Sequence, residues 1–339
     1  MNKLVAVSIG DIEGIGIEIL IEEWKKGKIS NFVLITNFKL FKKYLDYKKF
    51  SINLFKTSIV ENKMQYSKKS FNIFNIETSN YNHNALISLE ESYKLVKKKF
   101  CFGIVTLPIN KKKINKISKN FVDQTSFFTR KDNKKISNMI FIHNNTFFVP
   151  LTIHVELKSV SSKFKKTNTI IKKIKSLSKT LKTDFGINNP KYIMAGINPH
   201  NGEDGVISSE DNKLIKPIIR KLSKYKININ GPISPDSIVT KKNLKKYDCF
   251  IFTYHDQALI PFKLISNYSG VNYTSNLDVI RVSPDHGTAY DMIGNNKKSS
   301  MGILNSFKLL KKISSNRIKY AKSKEITWSK FSYWSKYKQ

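Results

Sequence analysis

Lys191-Tyr-Ile-Met-Ala-Gly-Ile-Asn-Pro-His-Asn-Gly-Glu203 starts as a short apolar run and breaks into a polar, glycine-punctuated turn. An apolar run of that length, bounded by turn residues, reads as a buried strand. The same grammar recurs at Cys249-Phe-Ile-Phe-Thr-Tyr254, which runs straight into His255-Asp256-Gln257. Between the two, Asp211–Lys224 has the length and spacing of an amphipathic helix. Towards the N-terminus the pattern holds, with strands predicted at Leu4–Ile9, Phe32–Thr36 and Gly103–Leu107 and helices at Ile17–Lys26, Leu86–Lys98 and Thr167–Phe185. Strand–helix alternation on this scale predicts an α/β fold with largely parallel sheets. In such sheets ligands bind beyond the carboxyl ends of the strands. Asp11, Pro108, Asn198 and His255 all lie just after predicted strands, where a site is expected.

The chain has 339 residues, 40% of them hydrophobic, enough for a sizeable core and for two domains. Its formal charge of +35 would suit nucleic acid or an anionic membrane. The composition argues otherwise. Of 60 basic residues only Arg130, Arg220, Arg281 and Arg317 are arginine, and the lysines are scattered among many Asn and Ile. Nucleic-acid readers lean on Arg for bidentate contacts, so the charge reads as the drift of an AT-biased genome that also helps attract anionic substrates. No nucleic-acid or membrane partner is expected. Cys101 and Cys249 sit in apolar runs without CxxC spacing and read as buried small hydrophobes. The apolar start is too short for a signal peptide and no run reaches the roughly 20 residues of a membrane span, which predicts a cytoplasmic protein.

Four polar blocks between Ile193 and Gly294 carry the chemistry: Gly196–Glu203, Tyr254–Gln257, Gly270–Thr274 and Asp285–Asp291. Three neutral histidines that leave a coordination position open suit a catalytic divalent ion. His154, His200 and His255 could be that set, but no short metal-motif spacing links them, and turn or core histidines are the alternative on spacing alone. The Gly10–Glu18 loop resembles a phosphate loop yet fails Gly-x-Gly-x-x-Gly, since Ile19 stands where the third glycine belongs. Lys263, Asn272 and Arg281 could converge on a phosphate or carboxylate.

Together with Val105–Lys111, Thr125, Thr152–His154, Asn198–Glu203, Gly231–Asp236, Gly270–Asn272 and Asp285–Thr288, these blocks are collinear with one family. The chain resembles the 4-hydroxythreonine-4-phosphate dehydrogenases of pyridoxal-phosphate biosynthesis from Gly10 to about Lys312. The resemblance implies a homodimer with an isocitrate/isopropylmalate dehydrogenase-like fold and the active site in the interdomain cleft. It implies a first domain of 1–125 with about 280–315, a second of 126–279, and a basic aromatic extension at 316–339. It also implies zinc, magnesium or cobalt on His154, His200 and His255, and a small phosphorylated substrate held by Gln124, Thr125, Lys263, Asn272 and Arg281. Proton transfer would fall to Lys263, Asp236 or Asp256. NAD, with NADP open, would lie on His286, Gly287, Thr288 and Asp291, because Asp285–Gly294 resembles the adenosine loop of isocitrate and isopropylmalate dehydrogenases. The implied reaction oxidises 4-phosphooxy-L-threonine to a β-keto acid that decarboxylates to 3-amino-2-oxopropyl phosphate.

The departures are specific. Gln124-Thr125 replaces the family's His-Thr, Ile12-Glu13 and Ile17 replace residues of the first loop, and Ser275-Asn276 stands for Leu-Gly. Two rival readings follow: a relative acting on phosphothreonate or phosphoerythronate, and a non-catalytic basic binding protein that keeps the fold.

Overall fold

A computed structural model of the chain describes residues 4–78, 80–295 and 299–323. The short apolar runs are strands with every residue buried at Val5–Ser8 (β1), Phe32–Thr36 (β2) and, later, Gly103–Thr106 (β6), as expected of parallel strands covered on both faces. Leu54–Val60 (β3), Lys63–Gln65 (β4) and Phe71–Asn75 (β5) lie between β2 and β6. Then come Met139–His143 (β7), Thr146–Pro150 (β8), Tyr192–Ala195 (β9), Ile229–Ile233 (β10), Cys249–Phe252 (β11), Val271–Thr274 (β12) and Arg281–Pro284 (β13).

The chain divides into two units, one of Met1–Asn133 with Leu277–Gln339, the other of Lys134–Asn276. The expected break at 125 falls instead after Asn133, because the helix Gln124–Lys131 stays with the first unit, its Phe127 and Phe128 in that unit's core. The first unit's strands run in the order β13-β6-β1-β2-β5-β3-β4. All pair in parallel except the short β3–β4 hairpin. The second unit's order is β10-β9-β11-β8-β7-β12. β10, β9, β11 and β8 pair in parallel, and β7 runs antiparallel to both its neighbours, β8 and β12. The sequence reading found β1, β2, β6, β9 and β11 and lacked the other eight strands. Asn144 and Asn145 supply the positive φ values (47° and 65°) that a two-residue turn between β7 and β8 needs.

Each unit has its own core. In the second, Phe148 stacks on Phe250 and Phe252 at ring-centroid distances of 5.2 and 5.7 Å and meets Phe262 edge-on at 5.5 Å. Cys101 and Cys249 are buried and unbridged, and burial pushes both thiols up, as expected of inert core thiols. The final helix, Met301–Ser323, runs through 316, where an extension was expected to begin; Arg317 on it donates to the Asp278 carbonyl at 2.9 Å. Residues 324–339, with most of the expected aromatic tail, lie outside the described residues. No helix among the described residues is long and apolar enough to cross a membrane.

Candidate active site

In the second unit the carboxyl ends of β8, β11 and β9 each lead into a histidine loop. His154 and His255 face each other with ring centroids 5.8 Å apart. His255 opens the helix His255–Ser266, and its Nδ1 pairs with Asp256 Oδ1 at 2.6 Å. That contact fixes which nitrogen is engaged and directs the Nε2 lone pair away from Asp256. His200 is held differently. His200, Asn201, Gly202, Glu203 and Asp204 all have positive φ, between 44° and 77°. Left-handed backbone costs an ordinary residue about 1–2 kcal/mol, so this turn persists only because its surroundings enforce it. Asp211 does much of the enforcing: buried, it accepts from the backbone N–H of Ile197 at 2.7 Å and of Asn198 at 3.1 Å. Gly202 is obligatory, since a Cβ there would stand 2.0 Å from the Ser208 carbonyl oxygen.

The structure therefore brings His154 and His255 together and leaves His200 on its own turn. Among the described residues no three His, Cys, Asp or Glu side chains stand close enough to hold a metal ion. The chemistry of the pair suits a borderline divalent ion, as imidazole does for zinc and cobalt. Asp236 accepts from Ser234 Oγ at 2.6 Å, and this bond, with a smaller contribution from nearby His200, holds its carboxyl below the usual range. It is anionic at neutral pH. Asn272 Oδ1 is buried with no hydrogen-bond partner among the described residues, which marks it for a ligand donor. Lys263 Nζ lies 5.5 Å above the Tyr268 ring.

Beneath the His154 loop, Lys173 Nζ donates to the Leu151 carbonyl at 2.6 Å, and burial brings its ammonium down to about 8. The unfolded chain would release that proton only near 10.5, so between these values the unfolded state binds more protons and stability climbs with pH. Lys173→Met is expected to be more stable than the natural chain at pH 7 and to lose that advantage by pH 10. Denaturant melts at both pH values check this; an equal difference at both would refute it.

In the first unit Arg281 is buried beneath the carboxyl end of β6. It donates to Thr106 Oγ1 from Nε (3.0 Å) and Nη2 (2.6 Å), to Ser283 Oγ (3.1 Å) and to Gln124 Oε1. Burial pushes its pKa down to about 10, against the raising charge of Asp123, so the guanidinium stays positive at neutral pH. Gln124 and Thr125 form the first turn of the helix Gln124–Lys131, capped by Asp123 accepting from Ser126 N at 2.8 Å. Arg281, Gln124 and a helix N-terminus thus combine positive potential with fixed polar groups, the requirement for gripping an anion.

The Gly10–Glu18 loop and the Asp285–Gly294 loop lie against each other. Gly10 has φ +65° and so little room that a Cβ would meet the Pro108 carbonyl oxygen at 2.4 Å. Ile15 N donates to the Thr288 carbonyl at 3.0 Å, and Tyr290 Oη donates to Asp11 Oδ2 at 2.5 Å. Lys113 ties Asp11 (3.1 Å) to Glu13. Around Gly287 there is open space, and His286 Nδ1 is 2.9 Å from the Gly287 carbonyl. A cavity of about 390 Å³ opens beside Tyr290, lined by Tyr44, Tyr47, Tyr81, Ile12 and Ile293. Aromatic walls of this kind accept a planar heterocycle. Asp11 was singled out from the sequence as the residue after the first predicted strand; Lys113, Asp211 and Lys173 were not.

The family model described as pyridoxal phosphate biosynthetic protein PdxA matches residues 28–310. The chain belongs to this family. It is 30% identical over 304 residues to a 4-hydroxythreonine-4-phosphate dehydrogenase from Sulfurihydrogenibium sp., covering 87% of this chain and 93% of that protein. A protein of the same name from Aquifex aeolicus is 31% identical, with 91% and 98% covered. The crystal structure of 4-hydroxythreonine-4-phosphate dehydrogenase from Klebsiella pneumoniae superposes with a TM-score of 0.76 at 25% identity, covering 92% of this chain and 98% of that one. The family resemblance and the α/β fold read from the motifs are borne out. Gln124, the departure from the family's His-Thr pair, is accommodated by hydrogen bonds: Oε1 also accepts from Thr106 Oγ1 at 2.8 Å and Nε2 donates to the Leu107 carbonyl at 3.0 Å.

Proposed function

We propose that this chain is a dehydrogenase that oxidises 4-hydroxythreonine 4-phosphate with a nicotinamide nucleotide, on the route to pyridoxine 5′-phosphate. The observation that carries the reading is the alignment spanning 93% of the Sulfurihydrogenibium enzyme. The product is a β-keto acid, whose decarboxylation gives 3-amino-2-oxopropyl phosphate.

The residue roles are those the family resemblance implies. The resemblance makes His154, His200 and His255 the candidate ligands of a divalent metal, zinc, magnesium or cobalt; of these the chain by itself pairs His154 with His255, whose ring Asp256 meets at 2.6 Å. Bound there, the ion supplies Lewis acidity that lowers the substrate hydroxyl's pKa and polarises the ketone. Arg281 and Lys263 take anionic groups of the substrate, and Thr125, Gln124 and Asn272 complete the hydrogen bonding. Asp236, Asp256 and Lys263 are the candidates for proton transfer. NAD, or NADP, would be held by His286, Gly287, Thr288 and Asp291, beside the tyrosine-walled cavity of about 390 Å³, and would supply the hydride acceptor.

NADH production from 4-phosphooxy-L-threonine by metal-loaded protein tests the reading, beside His200→Ala and a chelator-treated sample. Loss in both controls supports it. No turnover by the loaded protein, with phosphothreonate or phosphoerythronate oxidised instead, transfers the activity to those substrates. A salt-dependent affinity for nucleic acid that persists without the histidines would favour a binding protein.

We further propose a homodimer in the cytoplasm, the dimer covering the exposed flank of the helix His255–Ser266. Ile260 and Leu264 there are 72% and 84% exposed, more apolar surface than a solvated helix face calls for. Burying such a side chain is worth about 1.5–3 kcal/mol, so Ile260→Lys with Leu264→Lys is expected to weaken association by about 100-fold or more. Light scattering checks this; a natural chain that is monomeric, or a variant that stays dimeric, refutes it.

A further inference from the structure

One buried hydroxyl joins two of the side chains read as substrate grips. Thr106 is the last residue of β6 and is fully buried, and its β-branched side chain is stiff at χ1. Its Oγ1 accepts from Arg281 Nε at 3.0 Å and from Arg281 Nη2 at 2.6 Å, and donates to Gln124 Oε1 at 2.8 Å. A hydroxyl offers one donor and two acceptor lone pairs, and all three are used here. Gln124 Oε1 also accepts from Arg281 Nη2. Three side chains, from β6, from β13 and from the helix Gln124–Lys131, thereby close a triangle with Thr106 at its centre.

Nε and Nη2 form one edge of the guanidinium. A single oxygen that receives both donors fixes the plane of the group, whereas one bond alone would let it pivot. The face is held as well, since Arg281 Cζ stands over the Phe128 ring, 5.9 Å from its centroid. Arginine recognises an oxyanion through a planar fork of N–H donors, so its grip depends on how that plane is aimed. Valine at 106 would fill the same space and remove all three bonds. Serine would keep the hydroxyl and give up one methyl group.

We propose that Thr106 is a positioning residue for substrate binding: it aims the guanidinium of Arg281, together with the Gln124 amide, at an oxyanion of the substrate. This rests on the reading of Arg281 as a substrate ligand. The substrate carries two such groups, a phosphate and a carboxylate, and the fork suits either.

The test is calorimetric titration of the metal-loaded full chain with 4-phosphooxy-L-threonine and with 4-hydroxy-L-threonine, which lacks the phosphate, beside titration with NAD. Thr106→Val is expected to bind the phosphorylated compound about 10- to 100-fold more weakly, the worth of hydrogen bonds to a charged group, with NAD binding unchanged. Thr106→Ser is expected to restore most of the affinity. In an Arg281→Met background Thr106→Val is expected to cost nothing further, because the hydroxyl then has no guanidinium to aim. A loss confined to the phosphorylated compound assigns the phosphate to Arg281, and a loss with both compounds assigns the carboxylate. If Thr106→Val fails to fold, Thr106→Cys replaces it, since the thiol has the shape of serine and is only a weak acceptor. Unchanged affinity in Thr106→Val, an equal loss with and without Arg281, or a loss that Thr106→Ser does not restore overturns the proposal. Unaltered binding by Arg281→Met overturns the reading of Arg281, and no binding by the natural chain overturns the assigned substrate, both separate results.

Discussion

Arg281→Met is expected to lower kcat/KM by on the order of 10³-fold while leaving thermal stability unchanged or slightly raised. The two halves of this result have one cause. Arg281 is 2% exposed and sits among the neutral oxygens of Thr106, Gln124 and Ser283. Its desolvation is large enough to bring the guanidinium down to about 10. A cation in such a place is costly to keep, and replacing buried charge with an apolar side chain of similar volume is often neutral or stabilising. The same low dielectric strengthens its attraction for an anion far beyond what a surface lysine offers. Arg281→Lys should recover little, because lysine cannot reproduce the forked contacts to Thr106 and Gln124. Steady-state kinetics with melts of both variants check this. Activity within tenfold of the natural chain, or a collapse of stability matching the loss, would place Arg281 in the scaffold.

His255→Ala is expected to abolish stoichiometric metal binding and to reduce turnover by on the order of 10³-fold or more, since Lewis acidity supplies several kcal/mol of transition-state stabilisation. Asp256→Asn should be milder, about 10- to 100-fold, because the amide still reaches the Nδ1 that Asp256 now meets at 2.6 Å. Metal analysis of the purified variants, together with NADH formation, distinguishes the two. A His255→Ala protein that retains metal and activity would remove the histidines from the mechanism.

The fold was legible wherever the signal was local. Val5–Ser8, Phe32–Thr36, Gly103–Thr106, Tyr192–Ala195 and Cys249–Phe252 are continuous apolar runs, and each is a fully buried strand. Eight strands were missed, among them the β7–β8 hairpin, whose Asn144-Asn145 turn shows its meaning only in the hairpin register. The first unit's boundary was misplaced because packing of Phe127 and Phe128, and no break in composition, assigns the helix Gln124–Lys131.

The sequence by itself determined the family, the α/β class and the set of residues with the right chemistry, because residue type and order survive without coordinates. Three histidines, a scarce arginine and glycines at sharp turns are properties of the chain. What each does to the others was decided only by the tertiary structure. Arg281 meets Thr106 across 175 residues, Gln257 meets Gly196 across 61, and Tyr290 meets Asp11 across 279. The low pKa of Lys173 comes from burial that its own helix does not reveal. The left-handed turn at His200 depends on a carboxylate at Asp211 that reads, in one dimension, as an ordinary helix start. Desolvation and hydrogen-bond geometry are set by neighbours in space, and a sequence lists only neighbours along the chain.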